Sequence, residues 1–207
     1  VGRIAPPEKR SLMLGIVSAV GSLGQFVLIP ITRLLLDNGS WERTTMILGM
    51  VALLVVVAAP AMRSTPIIFD PATRGPDRLL RAELRRAAHS RSYLMLNAAF
   101  FVCGFHVTFI GIHLAGYVEG LGLSSSTAAT ALAMIGLFNV FGALIAGALG
   151  QRFAYTRILA AIYGLRAVAI SAFILIPAST TVTLIFAASM GLLWLATVPM
   201  TSGIVSN

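Results

Sequence analysis

Between Arg43 and Arg63 the chain carries no charged side chain, and five further stretches are nearly as apolar, so that long hydrophobic runs cover about 12–36, 44–62, 94–118, 127–149, 158–176 and 182–204. A hydrocarbon core about 30 Å thick asks for roughly 20 apolar residues at 1.5 Å rise each, and all six runs meet that length. The reading is six helical spans. Strands of a membrane barrel would alternate over about ten residues, whereas MILGMVALLVVVAAPAM is apolar on every face. A soluble fold is excluded as well: 57% of the chain is hydrophobic and 11% charged, against about 25% charged in soluble domains. The expected fold class is an all-α integral membrane protein with six transmembrane helices.

A net charge of +8 raises the question of nucleic acid. The placement of the charges answers it. Arg3, Lys9 and Arg10 precede the first run; Arg63, Arg74, Arg78, Arg81, Arg85, Arg86 and Arg91 lie in the 63–93 loop; Arg152 and Arg157 follow the fourth run. Lys and Arg in short loops are retained on the cytoplasmic side, so these three segments read as cytoplasmic, with 37–42, 119–126 and 177–181 outside. One orientation accounts for the basic charge, and no nucleic-acid partner is expected. The segment VGRIAPPEKR followed by a run too long for a signal's apolar core is not expected to be a secretory signal. The single Cys103 sits within a run and forms no intrachain disulfide.

The 63–93 segment is the one shift in composition. Pro66, Pro71, Gly75 and Pro76 read as linker, followed by DRLLRAELRRAAHSR, in which Asp77 can cap a helix with Leu80, Leu84 and Ala87 on its apolar side. That helix either lies at the anionic inner surface or is solvated between two bundles. Within the spans, small residues recur every three or four positions: Gly15, Ala19, Gly21 and Gly24; Gly104, Thr108, Gly111 and Ala115; Gly136, Gly142, Ala146 and Gly150. Such positions let helix backbones approach closely in lipid. Pro30, Pro60 and Pro199 mark kinks or span ends.

Lys9-Arg10-Ser11-Leu12 with Gly15 and Gly21-Ser22-Leu23-Gly24, then Gly39-Ser40-Trp41-Glu42-Arg43 with Met46-Ile47-Leu48-Gly49, then Gly147-Ala148-Leu149-Gly150-Gln151-Arg152, stand in an order that resembles the major facilitator superfamily. The resemblance is to its monocarboxylate-transporter-like and oxalate/formate-antiporter-like branch. It implies that the chain runs from just before the family's fifth helix to near the end of the tenth, and is a fragment. Residues 1–62 then close the N-terminal bundle with two helices, 63–93 is the central cytoplasmic loop, and 94–207 begins the C-terminal bundle with four helices. Carriers of this architecture rock two bundles around a midplane site. The resemblance also implies a small-molecule substrate, a lipid bilayer and the helices missing from this chain; a coupled proton and a bacterial inner membrane as host are further expectations.

Polar side chains in apolar spans are costly and therefore candidate site residues. His106 and His113, seven residues apart, differ by about 20° around a helix and share a stripe with Ile110 and Tyr117. An imidazole can meet a substrate carboxylate or carry a coupled proton; each histidine can equally serve as an ordinary interhelical hydrogen-bonding group. Arg166 in AAIYGLRAVAI is the only charge deep within a span. It needs an anionic substrate, backbone carbonyls or an acid from helices outside this chain. The resemblance aligns Asn139 and Ala143 with an Asp and an Arg of the branch, so coupling through that pair does not carry over. Asn97 and Thr197 are further polar groups that face either a cavity or a neighbouring helix.

Substrate-binding candidates are thus Arg166, His113, His106 and Asn139, with no catalytic residue, cofactor or metal expected. No span contains a nucleophile with its base, a H-E-x-x-H helix or paired acids, and none contains a filter-like segment of the kind channels use. The expected function is secondary active transport of a monocarboxylate or other organic anion. The alternatives are a carrier of neutral or drug-like solutes and a non-transporting scaffold.

Overall fold

A computed structural model describes residues 10–58, 85–86, 88–198 and 200–201. Within them, six helices follow one another: α1 Arg10–Asp37, α2 Trp41–Ala58, α3 Arg91–Gly120, α4 Ser125–Leu149, α5 Tyr155–Leu175 and α6 Thr180–Leu193. No strand occurs among the described residues. Four helices, α1, α3, α4 and α5, are long and apolar enough to cross a membrane. The helix expected from Asp77 falls outside the described residues, except that Arg85, Arg86, Ala88 and His89 are helical.

Local chemistry sets the helix limits. Ser124 caps α4 by accepting from the Thr127 amide, and Ser179 caps α6 by accepting from the Val182 amide at 3.2 Å. The Ser40 hydroxyl accepts from the Arg43 amide ahead of α2, and Glu42 in that first turn is held below the usual carboxylate range by its own backbone amide and by Ser40. Between α3 and α4 the chain reverses through Gly122, at φ 81°, a left-handed conformation that glycine adopts without a Cβ clash.

The chain divides into two compact units. One comprises the chain up to Arg33 and from Phe100 onward; the other is Leu34–Ala99, which holds α2. In the first unit α4 is the central element, because its glycines admit neighbouring backbones. A Cβ on Gly136 would lie 2.7 Å from the Phe26 amide nitrogen of α1, and one on Gly191 of α6 would lie 2.7 Å from the Ile135 carbonyl oxygen of α4. A Cβ on Gly142 would run into the Leu192 carbonyl. The small-residue spacing of α4 therefore serves helix approach, as the lipid environment requires. Around these contacts Ile110, Leu114 and Val118 of α3 pack with Ile135 of α4 and with Phe186 and Met190 of α6.

The sixth run differs from its expected continuity. α6 stops at Leu193, the chain bends at Trp194 and Leu195, and helix resumes at Thr197. The sequence places proline, which carries no N–H, four residues after Leu195, so the Leu195 carbonyl has no donor at the usual helical spacing. Instead the Val198 amide donates to Leu195 O at 3.0 Å and the Trp194 amide to Gly191 O at 3.0 Å, both three residues back.

Candidate functional site

A broken helix leaves backbone groups that need other partners, and inside an apolar unit each unmet group costs free energy. Two of the four candidate side chains supply them. Arg166, on α5 and 1% exposed, directs its guanidinium at the break: Nε donates to Leu193 O at 3.1 Å, and Nη2 donates to Leu193 O and to Trp194 O. Asn139, on α4 and fully buried, accepts from the Leu195 amide at 2.9 Å through Oδ1. Its Nδ2 donates to Ser22 Oγ of α1 at 2.8 Å, and the Ser22 hydroxyl donates in turn to Ser18 O. Freed carbonyls meet the cation, and the freed amide meets the amide oxygen.

Cys103 brings α3 to the same place. Its Sγ is 3.0 Å from Thr197 Oγ1, just past the break, and accepts from Arg166 Nη1 at 3.5 Å. The guanidinium carbon also stands 5.5 Å from the Tyr163 ring centre, one turn earlier on α5, a cation–π geometry. Thus Nε and Nη2 are occupied by carbonyls, while Nη1 has a thiol sulfur, a weak acceptor. All of these partners are neutral. Among the described residues no carboxylate pairs with Arg166, which is 1% exposed.

The two histidines occupy a different place. They line a groove of about 510 Å³ between α3, α5 and α6, whose walls include Phe105, Phe109, Tyr117 and Phe173. His113 lies 4.8 Å from the Phe109 ring, and Phe173 stacks on Phe186 at 4.0 Å. His106 Nδ1 is buried and lacks a hydrogen-bond partner among the described residues. The expected stripe is present, since His106, Ile110, His113 and Tyr117 all line this groove. No hydrogen bond joins either histidine to Asn139 or Arg166 among the described residues, but Cys103, which touches Arg166, precedes His106 by one turn on α3.

Of the other polar groups, Thr197 is buried and pairs with Cys103, while Asn97 donates to Tyr93 O of its own helix at 2.8 Å and is exposed. The sequence reading did not single out Ser22, Cys103 and Tyr163 as partners of the site. The available signal was Pro199, which marks an interruption one turn upstream and hence a demand for polar groups at that depth.

The family model described as Major Facilitator Superfamily matches residues 1–207. Among curated proteins, human monocarboxylate transporter 12 is 22% identical over 173 residues, covering 70% of this chain and 34% of that protein. Rat monocarboxylate transporter 13 is 22% identical over 147 residues, covering 70% and 33% respectively. The chain therefore spans about a third of the length of these relatives. No solved structure matches it.

Proposed function

The chain belongs to the major facilitator superfamily, a family of membrane carriers and not of enzymes, and on that premise we propose that it is part of a secondary active transporter that moves a small organic anion by alternating access. The observation that carries the reading is the buried Arg166 guanidinium, whose partners among the described residues are all neutral. An uncompensated cation favours an anionic guest, and a carboxylate is a far stronger partner for Nη1 than a thiol. The carbonyl clamp on Nε and Nη2 holds the guanidinium in one orientation, which lowers the ordering cost of binding. The relatives named for monocarboxylate transport favour the same class.

In this proposal Arg166 meets the carboxylate, and Asn139 acts from beside it by fixing the break. His106 and His113 line the approach and carry the proton of a symport. The 1–62 segment closes one bundle, 63–93 is the cytoplasmic connection, and 94–207 opens the second bundle, the remaining helices coming from the full-length protein. The sequence reading expects a bacterial inner membrane, whereas the relatives are mammalian; the charge bias asks only for a cytoplasmic face at 63–93 and 150–157.

A second reading has its own observation. The histidine groove is walled by aromatic and aliphatic side chains, which suits a neutral, drug-like solute. A thermal-shift screen of the full-length protein separates the two. Small monocarboxylates are expected to raise the melting temperature while their amides do not; stabilisation by amides and amphiphilic drugs alone contradicts the anion reading.

A further inference from the structure

A second groove, of about 460 Å³, lies in the same unit and shares only Leu193 with the clamp. Its walls come from α4 and α5 with Leu192, Leu193 and Ala196, and they are apolar from Gly142 and Ile145 to Leu165, with Arg157 at one end. Water would fill it poorly. Each molecule takes roughly 30 Å³ and wants two to four polar partners, which these walls offer only near the arginine. Hydrocarbon is the better occupant.

The direction of the groove supports this. Arg157 is in the first turns of α5, next to the 150–154 turn that also holds Arg152, and Leu165 is eight residues further along the helix. At 1.5 Å per residue the apolar channel runs roughly 12 Å inward, comparable with half of a core about 30 Å thick. Arg152 and Arg157 are exposed, and neither side chain makes a hydrogen bond or ion pair among the described residues. The first amides of α5 also lack a side-chain cap, because Ala154 stands at the cap position. One exposed cation, Arg157, thus lines the apolar groove and a second, Arg152, stands in the turn before α5, on the side that the loop charges assign to the cytoplasm, where anionic lipids concentrate.

We propose that this groove binds an anionic phospholipid of the inner leaflet, with its phosphate at Arg152 and Arg157 and one acyl chain along Ile145, Ile162 and Leu165. The proposal is independent of what the carrier moves. Native mass spectrometry of the full-length protein with added phosphatidylglycerol or phosphatidylcholine tests it. Phosphatidylglycerol should be retained preferentially, about fivefold less when either Arg152→Gln or Arg157→Gln is made and roughly twentyfold less with both. Ala161→Trp, or the milder Ala161→Leu, should also weaken retention by filling the groove with the arginines intact, and glycerol phosphate without chains should not compete. Equal retention by wild type and the double arginine variant overturns the proposal. So does a spin label at Leu165→Cys that is immobile and shielded from oxygen in bilayers, which would show another helix of the full-length protein in the groove.

Discussion

Arg166 is held by the carbonyls of a broken helix, and its removal has two separable consequences. Arg166→Gln leaves the Leu193 and Trp194 carbonyls short of donors, at a cost of about 1–3 kcal/mol for each unmet group, so the melting temperature of the full-length protein should fall. Arg166→Lys keeps the charge but loses the planar donor set. It should retain more stability than the glutamine variant and still bind carboxylates less tightly, which titration of both variants checks. Asn139→Asp sets a carboxylate at the same break and should lower anion affinity while the protein still folds, because it supplies a counter-charge that Arg166 lacks among the described residues. His113 shares its groove with two other titratable groups, His106 and Tyr117, both on α3, while the walls from α5 and α6 are apolar. A solute that reaches Arg166 through this groove passes both imidazoles, so His113→Gln should weaken substrate affinity in the full-length protein, as titration of the variant checks. Unchanged affinity in His113→Gln and His106→Gln alike would leave both histidines structural.

At the scale of elements, the glycines of α4 and α6 determine how closely the two helices pack. Gly191→Val would force Cβ against the Ile135 carbonyl, a backbone atom that cannot swing aside, and overpacking of this kind costs about 1–3 kcal/mol. A lower melting temperature for Gly191→Val, with Gly164→Val unaffected because nothing stands near Gly164, checks this directly. Helix positions were readable beforehand because hydrophobic length alone specifies a span: 94–118 and 127–149 fall inside α3 and α4. The end of α6 was not. Pro199 signalled an interruption, but only folding brings Asn139 and Arg166, 27 residues apart in sequence, to the same turn from two helices. Their residue types marked them as costly in lipid; their shared partner was hidden because it is backbone, which has no sequence signature. The histidine stripe was legible from periodicity, since both residues lie on one helix.

For the whole molecule, the loop charges predict sidedness. In a Cys103→Ala background, Glu119→Cys should react with an impermeant maleimide from outside intact cells and Arg152→Cys only after permeabilisation; the reverse pattern would invert the topology. The proposed function rests on a buried Arg166 that has no charged partner among the described residues and would suit the full-length protein to organic anions. Uptake of a radiolabelled small monocarboxylate into proteoliposomes containing the full-length protein tests it most directly. The account predicts saturable uptake that an unlabelled carboxylate competes and its amide does not, lost in Arg166→Gln at matched protein incorporation. Equal competition by the amide, or full uptake by Arg166→Gln, would contradict it.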